Sequence, residues 1–445
     1  MAPVRNFFGT DGIRGRFGDE PISIETFIKL GNAIGETLTT ASNRRIVIGR
    51  DTRESGTVLE HALTQGLEAA GAEVMLLGVM PTPVIAYLTQ ALEAVAGLVI
   101  SASHNPHYDN GLKIFSHQGF KLADEHEAAI EQCLGQMILP ETTNLQAKKI
   151  KDAEALYLQH CQATISKDLD LTGLKIVLDC AHGATYHLAP RIFTSLGAEV
   201  HTIGTEPNGV NINDKVGSTH PEQLQQTVVA EQADLGIAFD GDGDRVMMVD
   251  NRGNVVDGDQ LLYLIAKQGL ANGSLSGGIV GTLMTNLALE LACKKLGIAF
   301  ARAKVGDRYV LEMLQANGWQ LGGENSGHVI DLRVSTTGDG IASALQVLSS
   351  LRASGESLAS VLDDMPLFPQ VLINVPIAQK PANLELPAIN QAISEAESQL
   401  GDKGRVLLRP SGTEPLVRVM VEGEDEALVG QVCQTLADKV ATALQ

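Results

Sequence analysis

Apolar and polar positions along this chain fall into blocks, and the blocks recur. Three short segments match one another: AGAEVMLLG at 70–78, LGAEVHTIG at 196–204 and LGIAFARAK at 296–304. Each reads as the glycine that closes a helix followed by a strand. Upstream of each lies an apolar strand, RRIVIGR (44–50), LKIVLDC (174–180) or GGIVGTL (277–283), and then a helix-patterned stretch at 55–70, 184–196 or 286–296. Downstream come a further helical stretch and a third strand, AGLVIS (96–101), DLGIAF (234–239) or GWQLGG (318–323). Strands alternating with helices predict three related α/β units on parallel or mostly parallel mixed sheets with right-handed crossovers.

The last stretch breaks the pattern. It predicts a strand at 368–377, a helix at 383–400, strands at 404–409 and 415–422, and a helix at 425–444, a small α+β module. The expected division is therefore 1–152, 153–252, 253–367 and 368–445. Four compact units are compatible with 445 residues.

Each third strand runs straight into a polar loop: SASHNP (101–106), DGDGDR (240–245) and GGENSGH (322–328). Ligands of open α/β sheets bind beyond the carboxyl ends of the strands, so the repeats offer one functional loop each from equivalent positions. The last module adds a fourth, RPSGTEP (409–415), at its β-β turn.

In DGDGDR, Asp240, Asp242 and Asp244 alternate. In an extended segment alternate residues point the same way, so three carboxylates converge, and only a hard cation such as Mg²⁺ or Ca²⁺ relieves their repulsion. An EF-hand is excluded, because Arg245 and Asn251 stand where that loop needs Gly and Glu. SASHNP holds Ser103; a serine beside a metal-carboxylate loop suits phosphoryl transfer. The chain contains neither the G-x-S-x-G of an α/β-hydrolase nor a P-loop. RPSGTEP offers Arg409, Ser411, Gly412 and Thr413, with Arg418 on the next strand, as a phosphate cradle. In GGENSGH, Glu324 and Ser326 can hold vicinal sugar hydroxyls, and His328 follows them. Arg14 in GTDGIRG (9–15), Lys113, and Arg308 in VGDRYV (305–310) are further cations that alone would read as surface charges.

Charge and cysteine usage narrow the partners. A net charge of −20 would be repelled by a phosphate backbone, which excludes nucleic acid as the expected partner. The five cysteines are widely spaced without C-x-x-C, so neither a disulfide framework nor a zinc site is expected, in keeping with the cytoplasm. The N-terminal MAPVRNFFGTDGIRG has no apolar core of a signal peptide, and no apolar run approaches the roughly eighteen residues of a membrane span.

Taken in order, GTDGIRG, SASHNP, DGDGDR, GGENSGH and RPSGTEP resemble the α-D-phosphohexomutase superfamily over essentially the whole chain. The SASHNP opening, VGDRYV and the Asn of GGENSGH resemble its glucosamine-phosphate branch. The resemblance implies four domains around a central cleft, the last like the TATA-box-binding protein. It implies interconversion of glucosamine 6-phosphate and glucosamine 1-phosphate, on the route to UDP-N-acetylglucosamine and the cell wall. It implies a phosphoserine at Ser103, one Mg²⁺ held by Asp240, Asp242, Asp244 and the Ser103 phosphate, and a sugar 1,6-bisphosphate as intermediate and activator. It places Glu324 and Ser326 on sugar hydroxyls, and Arg409, Ser411, Gly412, Thr413 and Arg418 on the phosphate not being transferred. Lys113 becomes the favoured general base, its pKa depressed by neighbouring cations, with Arg14, Arg245 and His328 around the reacting centre. Relatives suggest a homodimer. Asp307 and Arg308 receive no role.

Three other readings stand beside this one. A phosphomannomutase/phosphoglucomutase of the same superfamily differs only at C2 of the sugar. A phosphatase of the haloacid-dehalogenase type would use Asp240 as nucleophile but leaves SASHNP and RPSGTEP unexplained. A non-enzymatic anion sensor would bind a phosphosugar without turnover.

Overall fold

The computed structural model describes residues 7–9, 11–140, 145–164, 169–377, 384–410 and 415–444. Four sheets are present among them. The first runs in the order Ile13–Arg16, Asp109–Ser116, Ala96–Ile100, Arg45–Arg50, Glu73–Val79, Lys148–Lys149. The second runs Val255–Val256, Val246–Asp250, Leu235–Phe239, Lys175–Asp179, Glu199–Ile203, and the third Phe300–Ala303, Ile279–Thr282, Leu321–Gly323, Val329–Asp331.

One plan underlies all three. The first core strand of each unit lies between the second and third and pairs with both in parallel. The third then pairs antiparallel with a return strand, which the repeat pattern did not reveal. Connection length explains the change of direction. A parallel return needs a crossover of roughly a dozen residues or more. The connections 101–108, 240–245 and 324–328 are shorter, so each polar loop is the tip of a hairpin at the carboxyl end of a parallel core.

A continuous apolar core joins these units. It includes Val47, Val84 and Phe115 of the first, Ile176, Ile237 and Phe239 of the second, and Ile279, Leu321 and Leu345 of the third, with Tyr157 and Cys161 of the connecting helix Ala153–Thr164. The first unit has a second core on its other face, around Leu30, Ile46, Leu63 and Ile114.

The C-terminal unit is a three-stranded antiparallel sheet, ordered Gln370–Pro376, Leu416–Gly423, Gly404–Pro410, with helices Pro387–Leu400 and Glu426–Ala443. It keeps its own core, built on Val417, Val419, Val421, Val432 and Leu436. Polar groups anchor it to the third unit. Arg405 donates to the Leu283 and Thr285 carbonyls at 2.9 and 2.7 Å, and the buried Glu422 accepts from the Leu287 N–H at 2.9 Å. Asn286 exchanges two hydrogen bonds with the Phe368 backbone. Among the described residues, no helix is long and apolar enough to cross a membrane.

Candidate active site

Ser103 sits at the tip of the first hairpin with φ +51°, a left-handed conformation uncommon for a residue with a Cβ. It is almost fully buried, and its Oγ donates to Asp240 Oδ2 at 2.6 Å. Below it, Ser101 Oγ accepts the Ser103 N–H at 2.9 Å and donates to the buried Asp51, which also holds the fully buried Arg53. His104 stands next to Ser103, with Nδ1 3.3 Å from Ser103 Oγ; burial, then Arg245 and Arg14, drive its pKa down to about 4.

The second hairpin brings Asp240, Asp242 and Asp244 together, one carboxylate oxygen of each lying within 4.8 Å of the others. The mechanism differs from the expected extended segment: residues 241–244 form a tight turn. Gly241 permits the approach to the serine loop, since a Cβ there would lie 2.6 Å from the Ser103 carbonyl oxygen. All three carboxylates are buried. Burial, then Asp244 and Asp242, push Asp240 well above the ordinary carboxylate range. Burial alone would raise Asp244 too, but Lys113 and His328 hold it well below. Asp242 Oδ1 and Asp244 Oδ1 are buried without a hydrogen-bond partner among the described residues. An all-oxygen cluster with orphaned acceptors fits a hard divalent cation.

Lys113 lies mid-strand in Asp109–Ser116 and points at the same cluster, donating to Asp242 at 2.9 Å and Asp244 at 2.8 Å, with Asp11 at 3.5 Å. Burial alone would depress its pKa, but Asp11, Asp242 and Asp244 raise it well above the usual value. This corrects the expectation of a lysine whose pKa is depressed by neighbouring cations: carboxylates dominate its surroundings and keep the ammonium charged. Arg14 pairs with Asp11, one strand away. Arg245 donates its backbone N–H to Asp240 Oδ1 at 3.1 Å.

The third hairpin closes on the second. The Val246 N–H donates to the Gly327 carbonyl at 3.0 Å, and Gly327 (φ +88°) leaves no room for a side chain, since a Cβ would lie 2.1 Å from the Val246 carbonyl oxygen. His328 is buried between Asp244, 3.6 Å from Nδ1, and Asp307, 3.4 Å from Nε2. Burial disfavours its charge, but these two carboxylates raise its pKa. Glu324 Oε1 accepts from the Gly306 N–H at 3.0 Å, so the VGDRYV loop orients it. Ser326 Oγ is buried with no hydrogen-bond partner among the described residues.

The VGDRYV loop also explains itself. Asp307 pairs with Lys121 of the first unit, which in turn pairs with Asp11; Arg308 reaches Asp124, the Leu122 carbonyl at 3.0 Å and Glu127. Asp11 and Lys121 thus join the cluster although sequence reasoning missed them, and Asp307, named there without a role, gains these partners. Asp11 carried a signal, three positions before Arg14 in GTDGIRG. Lys121 carried none.

Ser411, Gly412 and Thr413 lie outside the described residues. Arg409 and Arg418 face each other across neighbouring strands. Burial, then the Arg418 charge, lower the pKa of Arg409. Opposed like charges destabilise a sheet unless an anion joins them. Among the described residues, the hydrogen bonds that anchor this unit run to 283–287.

The chain matches family models described as phosphoglucomutase/phosphomannomutase α/β/α domain I at 5–138, domain II at 155–253, domain III at 257–368, and C-terminal domain at 372–439. It is 56% identical over 439 residues to the phosphoglucosamine mutase of Cronobacter sakazakii, covering 98% of this chain and 99% of that protein. It is 57% identical over 450 residues to the phosphoglucosamine mutase of Methylobacillus flagellatus, covering 99% and 98%. Among solved structures it is similar to a phosphoglucomutase/phosphomannomutase family protein from Burkholderia thailandensis, with TM-score 0.81, 26% identity, and coverage of 98% of this chain and 97% of that one. It shares its fold with Aspergillus fumigatus N-acetylphosphoglucosamine mutase, solved in complex with GlcNAc-6P and magnesium, at TM-score 0.73, 17% identity, and coverage of 99% and 96%.

Proposed function

Since this chain belongs to the phosphoglucomutase/phosphomannomutase family, we propose that it works as a phosphoglucosamine mutase, an isomerase interconverting glucosamine 6-phosphate and glucosamine 1-phosphate. The observation that carries this reading is the meeting of Ser103 Oγ with Asp240 at 2.6 Å, at the edge of three buried carboxylates.

In the proposed cycle Ser103 rests as a phosphoserine. The bond from phosphorus to Ser103 Oγ breaks as a bond to the sugar hydroxyl forms, giving glucosamine 1,6-bisphosphate. The bisphosphate reorients, and its other phosphoryl group returns to Ser103 Oγ, freeing the isomeric product. One Mg²⁺ per chain, held by Asp240, Asp242, Asp244 and a Ser103 phosphate oxygen, would neutralise charge on the transferring group. Lys113 is our candidate to take the hydroxyl proton: a cation bound by Asp242 and Asp244 would engage the carboxylates that otherwise hold its ammonium charged, and so lower its pKa. Arg14, Arg245 and His328 line the reacting centre. Glu324 and Ser326 grip vicinal hydroxyls that stay between the two ends in either orientation. Arg409, Ser411, Gly412, Thr413 and Arg418 hold the phosphate that is not moving.

The reading extends to the division 1–152, 153–252, 253–367 and 368–445, a cytoplasmic homodimer, activation by glucosamine 1,6-bisphosphate, and supply of UDP-N-acetylglucosamine for peptidoglycan precursors. Peptide mapping by mass spectrometry, beside a glucosamine 6-phosphate assay with Mg²⁺ and bisphosphate, tests it. A phosphoryl group on the Ser103 peptide and loss of turnover in Ser103→Ala support the reading. A hydroxylamine-labile phosphate on Asp240, or full activity in Ser103→Ala, overturns it. Comparing kcat/KM for glucosamine, glucose and mannose phosphates decides specificity at C2.

A further inference from the structure

The left-handed backbone of Ser103 is held from outside its own loop. Two donors converge behind it. Asn213 Nδ2, from the second unit, reaches the Ser103 carbonyl at 2.9 Å and the Asn105 carbonyl at 3.1 Å. Arg53 Nη2, from the first unit, reaches the same two carbonyls at 3.2 and 2.5 Å. Both side chains are buried. With its backbone held through the carbonyl, Ser103 keeps Oγ on Asp240 at 2.6 Å.

Asn213 also touches the carboxylate loop. A Cβ on Gly241 would lie 2.8 Å from Asn213 Nδ2 and 2.6 Å from the Ser103 carbonyl oxygen, so the amide, the serine turn and the DGDGDR turn pack as one unit. Asn213 itself has φ +58°, and its N–H donates to the carbonyl of Ala181, also left-handed at +54°. Such conformations persist only where the surroundings over-determine them, and they gather at functional sites.

We propose that Asn213 is a positioning residue: it fixes the left-handed turn at Ser103 and so aims the hydroxyl at its reaction partner. Arg53 does the same from beneath, but as part of the buried Asp51 ion pair it also supports the fold. Asn213 is the cleaner probe, because it is uncharged and borders a cavity of about 590 Å³. The inference rests on the reading of Ser103 as phosphoryl carrier.

Two variants test it. Asn213→Gly tolerates the positive φ and removes the amide. Asn213→Asp keeps the shape but turns a donor into an acceptor facing two carbonyl oxygens. The expected result is a kcat lowered about 10- to 100-fold, with KM for glucosamine 6-phosphate within about threefold. Single-turnover phosphorylation of Ser103 by glucosamine 1,6-bisphosphate, followed by mass spectrometry, should slow in proportion. Retained kcat in either folded variant, or a raised KM with unchanged kcat, overturns the proposal. Wild-type protein run in parallel separates the two levels: if it neither turns over nor carries phosphate on Ser103, the mutase reading fails instead.

Discussion

Lys121 and Asp307 form an ion pair between the first and third units. Each has a second partner nearer the chemistry: Lys121 reaches Asp11, which holds Arg14, and Asp307 faces His328 Nε2 at 3.4 Å. Both are largely sequestered from water, where such pairs are costly to break singly. A double-mutant cycle of Lys121→Met and Asp307→Asn should give a coupling energy of about 1–3 kcal/mol in kcat/KM. Steady-state kinetics of the four proteins measures it, and additive losses would show that the pair does not act as a unit.

The carboxylate cluster should bind Mg²⁺ without being needed for folding, because Lys113 already balances part of its charge. Asp242→Asn is expected to weaken Mg²⁺ binding by at least the roughly 10- to 100-fold seen when supporting partners of a metal site are lost. Isothermal titration calorimetry measures this directly. Unchanged affinity would mean that the cation binds elsewhere.

Gly241→Ala should lower kcat, whereas an alanine at an open glycine should not. The new methyl would lie 2.6 Å from the Ser103 carbonyl oxygen, and overpacking of this kind costs about 1–3 kcal/mol. Gly173 has φ +82° and nothing lies within 4 Å of where a Cβ would sit, so Gly173→Ala carries only the conformational cost, about 1–2 kcal/mol, and should leave kcat alone. Thermal melts paired with kcat distinguish the two, and equal activity loss in both would argue against a tight serine–carboxylate contact.

Asp179 gives a pH signature. It is fully buried at the end of its strand, and burial pushes its carboxyl up to about 6 despite hydrogen bonds from the Gly217 and Ala181 N–H groups. The unfolded value is about 3.9. Between these values the folded chain keeps a proton that the unfolded chain releases, so stability is lost as pH rises from about 4 to 6. By pH 7 the penalty is about 3 kcal/mol. Asp179→Asn escapes it but gives up one acceptor. Its melting temperature relative to wild type should therefore climb across that window and level off above it; a flat difference would place the shift elsewhere.

The repeat pattern made nine strands of the three α/β units legible, because their apolar runs are bounded by glycine and face covering helices. The return strands escaped for local reasons. Asp109–Ser116 is buried along most of its length yet carries Asn110 and Lys113, so site chemistry interrupts the apolar pattern that would mark a strand. Val329–Asp331 is only three residues long. At the site, clustered carboxylates and glycines betrayed the loops within a few residues. Lys121 and Asn213 did not show, since their partners lie more than a hundred positions away and a single lysine or asparagine in a polar stretch reads as surface.

The C-terminal unit keeps an apolar interior separate from the one running through the other three, and it meets them through Arg405, Glu422 and Asn286. Cooperative melting should stop at that seam, leaving two thermodynamic blocks in one chain. In the proposed cycle the phosphate clamp therefore belongs to a block that can loosen while the phosphoryl-transfer machinery stays rigid. In that cycle, reinforcing the polar seam with apolar packing should strengthen hold on the bisphosphate and slow its turnover.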